Sequence, residues 1–295
     1  MNKYTIIIPC FNDWECLDIL IPKIDKEIKD INVEFSIIIV NDGSTITQNL
    51  KIKKLSNIKS IKILNLKKNV KAQIAIATGL DYLKNEKYEG GIIVMDADGQ
   101  DDPKNIIDIV EASIKDPLKT ITINRTTRED VFLFKLFYQI YLIITIVFTN
   151  KYMKFGVYSY INSNSLKKIL STNDINMAYV ASLVKHFKDK KAIYVPRKKR
   201  MTGESKNNYL NLINYALKII SVFKYRVFFN STMLIVISYF FLNYINYLTL
   251  LIFIMFFNIL IFSIPLMNKT SNNIERLPNI GNVEEINYLH EKKYS

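Results

Sequence analysis

Cysteine and histidine are scarce in this chain. Its 295 residues include Cys10, Cys16, His186 and His290 and no others of either type. No Cys/His quartet with zinc spacing exists, so the cysteines are expected to pack in a reducing compartment. With so few histidines a His-centred mechanism is not expected, and each reads as a surface or packing residue. No glycine-rich G-x-G-x-x-G or P-loop pattern appears, which sets aside dinucleotide-binding and P-loop readings. The opening Met1-Asn2-Lys3-Tyr4 runs straight into a strand-like segment, so no signal peptide is expected. Acidic residues are outnumbered, and the formal charge is +13. Such basicity fits nucleic acid, an anionic membrane surface or phosphorylated substrates. The lysines form no stripe interleaved with aromatics, so no nucleic-acid partner is expected. Charge itself is missing from Val227 to Asn268. That run is long enough for two membrane spans of about 20 residues each.

What is present begins with short β-branched and apolar runs alternating with helical spacing. Strands are expected at Thr5–Pro9, Phe35–Val40, Ile61–Leu66, Gly91–Met95 and Thr120–Asn124. Helices are expected at 14–28, 45–56 and 72–83, with another starting at Asp102-Pro103, where Asp102 would cap and Pro103 would open the first turn. This alternation predicts an α/β fold with a mostly parallel sheet flanked by helices. Val131–Phe148 is very apolar and reads as an interfacial helix. Leu210–Phe223 has helical apolar spacing and reads as an amphipathic connector. The charge-free run is broken by Asn243-Tyr244-Ile245-Asn246-Tyr247, which predicts a helical hairpin with a very short outer loop. Lys224 and Arg226 precede it and Lys269 and Arg276 follow, so both termini are expected in the cytoplasm. The tail 270–295 is polar and expected to be loosely ordered.

The chemistry centres on Met95-Asp96-Ala97-Asp98-Gly99-Gln100-Asp101-Asp102, where an apolar strand stops at carboxylates. In an extended strand, Asp96 and Asp98 point to one side at the carboxyl end of the sheet, where α/β folds bind ligands. The spacing alone allows two readings: a pair of hard-oxygen ligands for Mg²⁺ or Mn²⁺ carrying a diphosphate, or a strand entering a polar turn.

Three further stretches decide between them. They are Ile8-Pro9-Cys10-Phe11-Asn12-Asp13, Val40-Asn41-Asp42-Gly43-Ser44, and Arg200-Met201-Thr202-Gly203-Glu204-Ser205-Lys206. With the Asp-rich stretch, their order and spacing resemble the family 2 (GT-A) glycosyltransferases. The last motif, followed by a membrane hairpin, resembles the polyprenyl-phosphate sugar transferase branch. The resemblance implies a GT-A domain over 1–208 with an interfacial helix at 131–150, a connector at 209–226, a transmembrane hairpin at 227–268 and a cytoplasmic tail at 269–295. It implies an inverting transferase moving sugar from a UDP- or GDP-linked donor to a polyprenyl phosphate at the inner (cytoplasmic) membrane, with a homo-oligomer left open. Asp96 and Asp98 would bind Mg²⁺ or Mn²⁺. Asp98, Arg200 and Lys206 would be catalytic. Pro9, Asn12, Asp13, Asp42, Asp96, Arg125, Arg128 and Ser205 would bind nucleotide or substrate.

Each motif also has a plainer physical reading. Asp42-Gly43-Ser44 is good turn chemistry. Arg125 and Arg128 suit phosphate, or form a solvated basic edge. The stretch 200–206 can close over a diphosphate, or attract anionic lipid. The chain also departs from the family, with Asp13 where Glu is usual and Lys71 where Gly is common. At Gly156-Val157-Tyr158-Ser159-Tyr160 the branch usually carries Gly-Asp-Phe-Arg-Leu. A hydroxyl acceptor needs a carboxylate base, whereas a polyprenyl phosphate is already an anion. The alternatives are therefore a hydroxyl-directed transferase, with its base among residues 174–189, and a catalytically weakened nucleotide-sugar-binding subunit.

Overall fold

The structure is a computed structural model, and it describes residues 3–52, 55–126, 132–196, 198–202, 209–271 and 280–292. Eight strands form one mixed sheet: β1 (Lys3–Cys10), β2 (Glu34–Asn41), β3 (Ile58–Leu66), β4 (Gly91–Val94), β5 (Thr120–Arg125), β6 (Phe155–Asn162), β7 (Lys190–Val195) and β8 (Val283–Glu291). Their order across the sheet is β7-β5-β6-β4-β1-β2-β3-β8. The continuous apolar runs lie at its centre, because a parallel strand covered on both faces buries every side chain. β4–β1, β1–β2, β2–β3 and β5–β7 are parallel, and β4–β6, β5–β6 and β3–β8 are antiparallel.

Helices α1 (Trp14–Glu27) and α3 (Asn105–Lys115) cover one face. The α1 stripe Trp14, Leu17, Leu20, Ile21 and Ile24 packs with Ile6, Ile8, Ile37 and Ile39. Helix α2 (Ala72–Asn85) covers the other face, followed by α5 (Leu166–Ile169), α6 (Asp174–Met177) and α7 (Tyr179–His186). Ile74, Ala77 and Leu80 meet Ile7, Val40 and Val94 there.

A further helical layer comprises α4 (Phe132–Thr149), α8 (Tyr209–Ser221), α9 (Lys224–Phe241) and α10 (Tyr244–Ser271). It docks on the sheet domain through α6 and α7. Ile219, Ile220, Phe223, Val227, Ile261 and Ile264 share an apolar cluster with Met177, Ala181 and Val184. Polar crosslinks fix its helices: the Asn258 Nδ2 donates to Ser231 Oγ (2.9 Å), joining α10 to α9. The Asn230 Nδ2 donates to the Phe148 carbonyl (3.0 Å), joining α9 to the end of α4.

Four expectations are corrected. No helix forms over the described part of 45–56, because side chains beneath it hold its backbone as an irregular strap. Asn12 Oδ1 accepts from the Thr45 and Ile46 amides, Asp18 Oδ1 from Lys51, and Asp25 from Ser56, Asn57 and Ile58. Second, Asp102 caps the turn rather than the helix: its Oδ1 accepts from the Lys104 amide at 3.2 Å, and α3 begins at Asn105. Third, the tail is not loosely ordered throughout, since its residues 283–291 form β8 on the β3 edge. Fourth, α9 and α10 do form an antiparallel helical pair. Among the described residues, however, only one helix, over Tyr244–Met267, is by itself long and apolar enough to cross a membrane. Helix α9 reaches that criterion only if joined to α8 across an 85° bend.

Candidate active site

The site is assembled at the carboxyl ends of β1, β2, β4 and β5. After β4 the chain turns through Asp96–Asp102, and the buried Asp101, 3% exposed, organises that turn. Its Oδ2 accepts from the Asp96 amide (3.0 Å), and its Oδ1 accepts from Arg125 Nη2 (3.0 Å). Arg125, from the end of β5, also lies 3.8 Å from Asp96 Oδ2. Burial alone lowers the guanidinium's affinity for its proton, but Asp101, Asp96 and Asp98 together more than compensate and raise it. The sequence reading took Asp96, Asp98 and Arg125 as site residues and did not single out Asp101. The signal for it was present in the run of four aspartates, but its burial follows from an arginine arriving from another strand.

Arg200 joins the first and third motifs. Its Nη2 donates to Asp13 Oδ1, its Nη1 to Asp98 Oδ2 (3.4 Å), and its Nε to the Thr202 carbonyl (2.8 Å). Two backbone bonds, one on each side of it, align its segment with the Asp-rich turn: Lys198 N to Gln100 O (3.2 Å) and Met201 N to Asp98 O (3.1 Å). Gly99 makes this approach possible. Its φ is +75°, and a Cβ there would lie 2.4 Å from Met201 Cγ.

The β1 and β2 ends are fastened to each other. Pro9 is buried in β1 opposite Val40. The β4 ladder ends near Ile7, so the missing Pro9 N–H costs no sheet hydrogen bond. Asn12 adopts φ 56°, a conformation asparagine tolerates, and its amide staples the Thr45–Ile46 backbone. Asp42 is 3% exposed, and its Oδ1 accepts from the Val70 amide at 2.6 Å. Burial raises its pKa to about 6, against the lowering effect of the Val70 and Lys71 amides and the Lys71 charge. Lys71 has φ 74° and ψ 153°, a region that glycine occupies readily and other residues rarely. The common family glycine therefore has a physical basis at this position.

The helical layer borders the same site. Tyr215 of α8 is partly buried, and burial raises its phenol pKa, with Tyr141 of α4 and the Asp96 carboxylate adding to the shift. Lys218, one turn later, has its pKa lowered by burial and then by the charge of Lys71. Val157, where the branch usually has an acid, is 9% exposed and packs in the apolar α2 face of the sheet. Asp174, the first carboxylate of the 174–189 group, is held by Lys185 (2.8 Å), His186 (3.2 Å) and Thr172 (2.8 Å). Arg128, Ser205 and Lys206 lie outside the described residues.

Among the described residues, no group of three His, Cys, Asp or Glu side chains is arranged to hold a metal ion. Asp96 and Asp98 offer oxygen donors only, and their side chains are 36% and 18% exposed. That donor set fits a hard divalent cation of the Mg²⁺ type, which binds through one or two carboxylates and completes its shell with water and substrate phosphate.

The sequence profile of glycosyl transferase family 2 matches residues 5–173. An uncharacterised glycosyltransferase of Synechocystis sp. is 32% identical over 114 residues, covering 37% of this chain and 33% of that protein. The undecaprenyl-phosphate 4-deoxy-4-formamido-L-arabinose transferase of Proteus mirabilis is 26% identical over 132 residues, covering 44% of this chain and 39% of that protein. The chain thus covers well under two thirds of these relatives' own length. In fold it is similar to glucosyl-3-phosphoglycerate synthase from Mycobacterium tuberculosis, solved with Mn²⁺ and UDP-glucose. The TM-score is 0.53 at 9% identity, covering 77% of this chain and 79% of that one.

Proposed function

The chain belongs to glycosyl transferase family 2, and from that premise we propose that it is a nucleotide-sugar glycosyltransferase whose acceptor is a polyprenyl phosphate at the cytoplasmic membrane face. The observation that carries this reading is the nearness of α8 to the Asp-rich turn, close enough for the Asp96 charge to act on Tyr215. Asp96 lies within electrostatic reach of Tyr215 on α8, so sugar transfer would occur beside the helices suited to hold a lipid. The arabinose transferase of Proteus mirabilis, whose name specifies undecaprenyl phosphate, supports the same acceptor class. So does the buried Val157, since a phosphate acceptor needs no base there. The hydroxyl-directed alternative requires such a base, and Asp174 is occupied by Lys185 and His186.

In this reading the donor diphosphate lies between the β1, β2 and β4 ends. Asp96 and Asp98 are the residues that would hold Mg²⁺ or Mn²⁺. When bound, the cation supplies positive charge where the nucleoside diphosphate leaves. Arg200, placed by Asp13 and Asp98, turns its guanidinium toward the same negative charge. Asp42, ionised above about pH 6, accepts hydrogen bonds from the base or ribose. Arg125 fixes the Asp-rich turn through Asp101. A phosphate oxygen of the lipid attacks the anomeric carbon as the bond to the diphosphate breaks, inverting that carbon. The protein contributes mainly position and electrostatics. Helices α9 and α10 would anchor the enzyme as a membrane hairpin with both termini in the cytoplasm.

The test pairs several nucleotide sugars with polyprenyl phosphate and Mn²⁺ and measures labelled lipid product. Transfer by the wild type, reduced by roughly 10²–10³-fold in Asp98→Asn at unchanged folding, is the expected result. Full turnover in that variant removes the metal assignment. Nucleotide binding without transfer to any polyprenyl phosphate removes the acceptor assignment.

A further inference from the structure

A second concave site lies beside the Asp-rich turn, between α1, the start of α3 and the 198–201 segment, with Gly99 and Asp102 of that turn in its wall. The cleft measures about 550 Å³, within the usual range for small-ligand sites. Lys23 and Lys26 of α1, Lys104 before α3, and Lys198 and Lys199 all line it. Against five cations stand two carboxylates, Glu27 and Asp102. Asp102 is engaged by Lys198 at 3.4 Å. Lys23, Lys26 and Lys104 form no ion pair among the described residues. A cleft lined by one sign of charge focuses its field and concentrates counter-ions. Pro103, Met201 and the lysine stems supply its apolar surface, and the lysine ammonium groups supply its charge.

We propose that this cleft binds a compact phosphate-rich anion, beside the site that holds the sugar donor. Lysine is well suited to such a ligand, as a point charge on a flexible stem. The placement also gives the ligand a route to the reaction. Lys198 and Met201 are tied by backbone hydrogen bonds to Gln100 and Asp98, and Arg200 lies between them. An anion held by Lys198 and Lys199 therefore steadies the segment that presents Arg200 to Asp98 and Asp13. The helical layer docks through α7 on the opposite face of the sheet, which favours a soluble anion over a lipid headgroup as its source.

Tripolyphosphate is the probe. Its binding to the full chain in phosphatidylcholine nanodiscs is measured by calorimetry with EDTA present, so that a metal-dependent diphosphate site does not contribute. Saturable binding is expected, weakened at least tenfold in Lys23→Glu/Lys26→Glu and less in Lys23→Gln/Lys26→Gln. The nucleotide-sugar affinity measured with Mn²⁺ should not change in either variant. Repeating the titration in phosphatidylglycerol nanodiscs separates the sources. Unchanged affinity identifies a soluble anion, and weakened affinity identifies a competing lipid phosphate in the same cleft. Equal tripolyphosphate affinity in the wild type and both variants, or no binding in either disc, overturns the proposal.

Discussion

Asp42 carries the clearest pH signature of any single residue. Its folded pKa is about 6 against an ordinary 3.8, because burial disfavours the charged form. The native state therefore binds this proton more tightly than the unfolded state. Its contribution makes stability fall as pH rises from about 4 to about 6, and the penalty of about 3 kcal/mol is fully developed above that window. Denaturant unfolding of Asp42→Asn, whose amide oxygen can still accept from Val70, should show this part of the slope removed relative to wild type. Donor binding should weaken in the wild type as pH falls below about 6, if the ionised carboxylate holds the nucleotide. Lys71 gives a second residue-scale expectation. A lysine in a glycine conformation costs on the order of 1–3 kcal/mol, partly offset by the extra freedom that glycine brings to the unfolded chain. Lys71→Gly should stabilise the protein by about 1 kcal/mol, read as a Tm rise of roughly 2 °C. A lower Tm would mean that the lysine side chain contributes more than its backbone costs.

At the scale of elements, β8 shows how the tail serves the sheet. It pairs along β3 from Ser60 to Leu66 and covers an edge that carries the buried Ile61, Ile63 and Leu64. Lys62 of β3 lies between β8 and α2, with its Nζ 5.2 Å from the Tyr288 ring centre and 5.5 Å from that of Tyr82. An open apolar edge strand is a template for association. A chain ending at Asn282 should therefore melt lower and scatter light on warming, measured side by side with the full chain; an unchanged melting curve would show β8 to be dispensable. This strand was not legible in the sequence because an edge strand that stays largely exposed has no apolar alternation to display. The central strands β1, β2 and β4 were legible for the opposite reason, since burial on both faces demands continuous apolar runs. The strap over 45–52 was misread as a helix because its backbone partners, Asn12 and Asp18, are distant in sequence. The pair Asp96 and Asp98 was found from local spacing, whereas Asp101 becomes part of the site only through Arg125, which arrives from β5.

For the whole molecule, the order of elements along the chain constrains how the helices can be separated from the catalytic domain. Helices α9 and α10 lie between the connector α8 and the strand β8, so the chain leaves the sheet domain, runs through both helices and returns to the sheet. Cutting the chain before α9 removes β8 as well, and any loss of activity would confuse anchoring with sheet stability. Replacing 224–279 by a flexible Gly/Ser segment of about 20 residues, whose ends span roughly 25 Å, keeps β8 available to pair with β3. That protein should still bind the nucleotide sugar in thermal-shift measurements, because Asp13, Asp42, Asp96, Asp98 and Arg200 are all retained. Its transfer to a short-chain, water-soluble polyprenyl phosphate should persist. Its transfer to a long-chain acceptor in vesicles should fall at least tenfold, since the helices that bring the site to the lipid phosphate are gone. Equal rates on both acceptors would mean that α9 and α10 take no part in presenting the acceptor. The two arms differ only in the acceptor's chain, so damage to Ile219, Ile220 and their partners on α7 would lower both together.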